Sequence, residues 1–103
     1  MTTNHGLAVQ LLVAAFRTRT PLAELPESAR PRSFDDGYEV QDRLARAVGY
    51  STCGWKIGLT TPASRKTAGV DAPMVGRLFR EFVWKSGDTV EGVGHWVPGV
   101  ETE

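Results

Sequence analysis

Pro21, Pro26 and Pro31 rule out a continuous helix through the first part of this chain. Proline lacks the amide hydrogen that a helix interior needs, and it disfavours helical geometry in the residue before it. The chain must break into separate segments there. Upstream, Leu7, Leu11, Leu12, Ala15 and Phe16 recur at three- and four-residue spacing, the apolar stripe of an amphipathic helix running from about His5 to Arg19. Gly6 to Phe16 has no basic start, contains Gln10 and is too short to span a bilayer, so it reads as a buried helix and not as a leader or membrane segment. Residues 21 to 32 read as an irregular connector.

Ser33 offers a helix N-cap with Asp36 three positions on, a variant of the capping box. The helix it starts carries Phe34, Tyr38, Gln41, Leu44, Ala45 and Val48 on one side. Gly49 supplies a left-handed stop. From Thr52 the texture changes: Trp55, Ile57 and Leu59 fall on one face of a strand and Lys56 on the other. Thr61-Pro62 starts a short helix ending at Gly69. An extended piece is expected over 77 to 85, a turn at Ser86-Gly87-Asp88, and a returning strand over 89 to 93. A last strand follows Pro98. The fold class is α+β, two N-terminal helices followed by a mixed β region.

Length and charge narrow the function. The 103 residues allow one small domain, helical over 1–50 and β-rich over 51–103. Twelve basic and twelve acidic residues cancel and are interspersed, so neither nucleic acid nor an anionic membrane surface is an expected partner. The single cysteine, Cys53, cannot form an internal disulfide, and a cytoplasmic setting is expected.

The chemistry-bearing residues are few. Glu101 and Glu103 are spaced two apart, which on an extended segment points both carboxylates to one side. Such a pair is half of a site for a hard divalent cation, although the same spacing fits a solvent-facing strand or a polar terminus. Lys56 alternates with apolar neighbours and is flanked by Gly54 and Gly58. It is either a solvated strand lysine or an ammonium that binds a carboxylate or moves a proton. Glycine in a strand often marks close approach by a ligand or another backbone. His95 reads as a surface residue, Trp55, Trp84 and Trp96 as core, and Cys53 as a buried structural thiol.

The segments YEVQ (Tyr38 to Gln41), GWKIGLT (Gly54 to Thr60), GVDAP (Gly69 to Pro73) with Gly76-Arg77-Leu78, and PGVETE (Pro98 to Glu103) resemble, in order and spacing, the amino-terminal part of the 2-keto-4-pentenoate hydratases. These belong with the 4-oxalocrotonate decarboxylases in the fumarylacetoacetate hydrolase superfamily. The resemblance implies the opening portion of that fold, an incomplete domain, and a hydro-lyase that adds water to 2-hydroxy-2,4-dienoates in aromatic catabolism. It implies Mg²⁺ or Mn²⁺ held by Glu101 and Glu103, with a third acidic ligand beyond this chain. Lys56 matches the family lysine as a substrate-binding or proton-transfer group. The implied partner is a small 2-keto or 2-hydroxydienoate acid, with self-association of the chain also expected. Met74 stands where many relatives have Asp, and Gly99 where many have Arg. Decarboxylation, acylpyruvate hydrolysis or a non-catalytic interaction role are the alternatives.

Overall fold

Helix α1, His5–Thr18, starts where the Asn4 side chain accepts the Leu7 N–H at 3.0 Å, which satisfies one of the donors a helix N-terminus leaves open. It ends at Arg19, whose left-handed backbone (φ 53°) folds the chain back before Pro21. The connector contains one 3-10 turn, Glu27–Ala29. Helix α2, Phe34–Val48, begins as the Ser33 hydroxyl accepts the Asp36 N–H at 3.1 Å. Gly49 follows it with φ 76°, a conformation that costs glycine nothing and other residues about a kcal/mol or more. The computed structural model describes residues 2–90. Met1 and residues 91–103 lie outside that range.

The described chain forms two compact units, one of them Gly49–Val83 and the other containing both long helices. In the helical unit, Ala8, Ala29 and Val40 are buried, with Leu7, Val9, Leu12 and Leu25 packed around them. The buried stripe of α1 is therefore centred on Ala8 and Leu12, and Phe16 at its edge is exposed. On α2 the deepest residues are Val40 and Ala45. Val40 lies beside the apolar side inferred from sequence, because it faces the connector residue Ala29 as well as α1.

A polar clip joins the starts of the two helices. The buried Thr3 hydroxyl donates to Asp36 Oδ2 at 2.8 Å, the Arg32 N–H donates to the same oxygen at 3.0 Å, and His5 Nε2 lies 3.0 Å from Asp36 Oδ1. Asp36 thus works across the fold as well as at its own helix end. At the other end, Arg17 Nη2 donates to the Ala47 carbonyl at 3.3 Å.

In the second unit, strand β1, Thr52–Gly58, pairs antiparallel with β2, Met74–Phe79. Helix α3, Pro62–Ala68, lies between them in sequence. Its start is a reciprocal capping box of Thr61 and Ser64, with Pro62 in the first turn, and Gly69 closes it at φ 73°. Leu59 does not extend β1. Its φ of 57° turns the chain out of the strand, and Arg65 Nη1 holds its carbonyl at 3.0 Å. A second 3-10 turn, Arg80–Phe82, follows β2 and brings Phe79 and Phe82 against Tyr50, with ring centroids 5.5 and 5.1 Å from the Tyr50 ring. Glu81 fastens this corner by accepting the Ser51 N–H with both carboxylate oxygens, at 3.1 and 3.0 Å. Its own backbone N–H, and then that of Ser51, hold the Glu81 carboxyl below its usual range against the opposing effect of burial.

The architecture is α+β, with three α-helices and one two-stranded sheet among the described residues. No helix among them is long and apolar enough to cross a membrane. The extended piece expected over 77 to 85 occurs earlier, as Met74–Phe79, and it pairs with β1. The expected turn is present, with Gly87 at φ 93° and the Asp88 N–H donating to the Lys85 carbonyl. The returning strand over 89 to 93 lies mostly outside the described residues.

Asp36 yields a pH prediction. Hydrogen bonding, from Thr3 first, then from Arg32 and His5, holds its carboxyl below the usual value of 3.8. A folded-state pKa below the unfolded one contributes stability above the unfolded value, and that contribution is lost as pH falls through the folded value. Thermal melts followed by circular dichroism should show Asp36→Asn lowering the midpoint by several degrees at neutral pH. Between about pH 5 and pH 2 the variant should lose less stability than the parent.

Candidate functional site around Lys56

The register of the β-ribbon decides what surrounds Lys56. Gly76 stands directly opposite it, Gly54 faces Leu78 and Gly58 faces Met74. Side chains alternate between the faces of a strand, and cross-strand partners share a face. The Lys56 face is therefore Gly54, Gly58, Gly76, Leu78 and Met74, and Trp55, Ile57, Val75 and Arg77 take the other.

None of the three glycines on the Lys56 face has the positive φ that would demand glycine. A methyl group at Gly58 would meet nothing within 4 Å, and one at Gly54 would reach Leu78 Cδ1 at an ordinary 3.6 Å. Glycine in a strand interior is about 0.5–1 kcal/mol worse than alanine. Neither backbone geometry nor crowding among these contacts explains Gly54 and Gly58. They leave low ground on either side of an exposed lysine stem.

On the opposite face the Arg77 guanidinium lies 4.8 Å from the centre of a Trp55 ring, and Arg77 Nη1 donates to Thr52 Oγ1 at 3.0 Å. Trp55 nonetheless remains 52% exposed and Ile57 59% exposed, so the apolar face of β1 is not the core face that alternation predicts. Trp84 is also exposed. A two-stranded ribbon has only one inter-strand seam and no second layer of its own to cover its side chains.

A bulge separates Thr52 from Gly54 in the ladder, and Cys53 is its extra residue. The thiol is exposed. This corrects the expectation of a buried structural cysteine, which assumed an uninterrupted strand.

Among the described residues no three His, Cys, Asp or Glu side chains gather as a metal site. Glu101 and Glu103, the expected ligand pair, lie outside the described residues, as do His95 and Trp96. The His5–Asp36–Thr3 cluster escaped sequence reading because its members are 31 and 33 residues apart. The only sequence signal was Asp36 itself, read there as part of a helix cap.

The chain is similar to three curated hydratases. It is 35% identical over 99 residues to 2-keto-4-pentenoate hydratase 2 of Dechloromonas aromatica, a match covering 93% of this chain and 38% of that protein. Against 2-keto-4-pentenoate hydratase 1 of the same organism it is 34% identical, with the same coverage. Against the 2-keto-4-pentenoate hydratase of Burkholderia vietnamiensis it is 35% identical over 65 residues, 63% of this chain and 25% of that protein. No family model matches the chain, and no solved structure matches it. The chain is thus α+β with a lysine-bearing ribbon, and by sequence it is a relative of the 2-keto-4-pentenoate hydratases. It spans about 38% of the length of the first of these relatives.

The exposed bulge thiol is directly testable. Native chain treated with a chromogenic disulfide reagent should release one equivalent of thiolate at a rate within about tenfold of the unfolded chain, as an accessible cysteine does. Labelling that requires denaturant would contradict the placement of Cys53.

Proposed function

We propose that this chain supplies part of the acid-binding site of a 2-keto-4-pentenoate hydratase-like enzyme with a fumarylacetoacetate hydrolase-like fold. In this reading Lys56 is the group that meets the substrate. The observation that carries it is the position of Lys56 in GWKIGLT, on a glycine-flanked exposed strand, in a chain that matches hydratases over 93% of its length.

The reaction adds the elements of water to a 2-hydroxy-2,4-dienoate. The enol oxygen gives up a proton, the far end of the conjugated chain gains one, and the resulting unsaturated ketone takes hydroxide and a proton across its double bond. An ammonium suits this chemistry. Lys56 is long enough to reach from the strand to a ligand above it and carries three donors for a carboxylate. Placed beside the enol it also holds or passes the moving proton, a role worth typically 10²–10⁴-fold in rate.

Glu101 and Glu103 fit a Mg²⁺ or Mn²⁺ ion by donor chemistry, being hard carboxylate oxygens two residues apart. They form a partial set, which leaves coordination positions for water, substrate oxygens or further ligands. When bound, the metal supplies Lewis-acid stabilisation of developing enolate charge. The carboxylates orient the ion, and Lys56 orients the acid.

Calorimetry with Mg²⁺ and then 2-oxopentanoate, a stable 2-keto acid, separates the two roles. Glu101→Ala should abolish Mg²⁺ binding. Lys56→Ala should leave Mg²⁺ affinity unchanged and weaken the keto acid by about ten- to a hundredfold, the loss of a charge-assisted contact. Keto-acid binding indifferent to Lys56→Ala would overturn the assignment of Lys56, and Mg²⁺ binding indifferent to Glu101→Ala that of the metal pair.

A further inference from the structure

We infer that Arg65 is a positioning residue for Lys56: through the Leu59 carbonyl it holds the ribbon in the register that sets Lys56 opposite Gly76, against a second register favoured by the far end of the same ribbon. This rests on the reading of Lys56 as the acid-binding group and deepens it.

The two strands are unequal. β1 has seven residues, Thr52–Gly58, and β2 has six, Met74–Phe79. At one end Thr52 pairs with Phe79, and the Ser51 carbonyl accepts the Arg80 N–H at 2.8 Å. Counted inward from there without interruption, Lys56 would fall opposite Val75 and Trp55 opposite Gly76. At the other end Gly58 pairs with Met74, and counting inward from that pair gives the partners that are observed, Lys56 with Gly76 and Trp55 with Arg77. The two ends disagree by one residue, and the Cys53 bulge takes up the difference. The bulge is thus the mark of two anchors in competition.

At the Thr52 end the anchor is the Glu81 grip on the Ser51 N–H together with the Tyr50, Phe79 and Phe82 rings. At the Gly58 end the fastening runs through Arg65. Leu59 turns out of the strand at φ 57°, and Arg65 Nη1, reaching back from α3, donates to its carbonyl at 3.0 Å in a partly buried position. The Arg65 carbonyl in turn accepts the Val70 N–H at 3.0 Å. One residue therefore joins the end of β1 to the closing turn of α3, from which the chain runs into β2. Without the guanidinium donor, β1 is free to move one residue along β2 and shed the bulge. Such a slip changes which β2 side chains share a face with Lys56, replacing Gly76 by Val75 as its partner. An ammonium displaced in this way no longer meets an acid held on the observed face.

Arg65→Met keeps a long stem and removes the donors. NMR of the parent should show a cross-strand contact between Lys56 and Gly76, and in Arg65→Met that contact should pass to Lys56 and Val75. With Mg²⁺ present, the variant should bind 2-oxopentanoate about ten- to a hundredfold more weakly, close to the loss in Lys56→Ala. A disulfide then restores the register. Ile57 and Val75 are directly opposed in the observed ladder, at the separation of about 4.5–5.5 Å between Cα atoms that a disulfide spans. Ile57→Cys with Val75→Cys, made in a Cys53→Ser chain and oxidised, should return parent affinity to Arg65→Met. If Arg65→Met alone unfolds, the oxidised form is read by itself, and parent affinity is again the expected result. A retained Lys56 to Gly76 contact with unchanged affinity in folded Arg65→Met overturns the inference. So does a loss of affinity that the locked register fails to restore, since Arg65 would then act on the acid directly. Binding unaltered in Lys56→Ala overturns the Lys56 reading itself and leaves the register result standing.

Discussion

The antiparallel pairing of β1 with β2 is the interaction on which the functional reading depends, because its register places Gly76 opposite Lys56 and Arg77 opposite Trp55. A slip of one residue would reverse the faces, putting Lys56 beside Arg77 or Val75. Two local devices hold the register. The Cys53 bulge absorbs one residue near the start of β1, and the chain leaves the strand at Leu59, whose carbonyl Arg65 binds from α3. At the far end the Tyr50, Phe79 and Phe82 rings and the Glu81 grip on Ser51 tie the beginning of β1 to the end of β2. A two-stranded ribbon by itself is marginal, so these anchors matter more here than they would in a wide sheet.

Helix ends were legible in the sequence because their chemistry is local. Ser33 and Thr61 each bond an amide three residues away, Gly49 and Gly69 each take the left-handed stop, and Pro62 fits a first turn. Long-range features were harder to read. Val40 lies deep in the helical unit because the connector returns Ala29 to it, a consequence of chain path that no periodicity in α2 records. Asp36 looked like a cap and proved to be the centre of a clip reaching back to Thr3 and His5. Alternation carried β1 one residue too far, since a leucine at φ 57° has no propensity signature. Trp55 was read as core, yet it and Ile57 on the same face are both more than half exposed.

The candidate site was legible only in part. Lys56 stood out through its glycine neighbours and through GWKIGLT. The opposing glycine entered once pairing was known, because sequence separation hides a partner 20 residues away. The resemblance to the hydratases is what motivates a chemical role for the lysine. The two carboxylates of Glu101 and Glu103 stand on donor chemistry and on the resemblance of PGVETE.

The chain has three lysines, Lys56, Lys66 and Lys85, which makes one experiment unusually direct. Reductive methylation with ¹³C-formaldehyde gives each amine its own NMR signal, and the signals can be followed while 2-oxopentanoate and Mg²⁺ are added. If Lys56 receives the acid, its methyl resonance moves in a saturable way while those of Lys66 and Lys85 stay in place. If the three resonances move together, or Lys56 alone remains still, the ammonium on β1 is an ordinary surface charge and the functional reading fails.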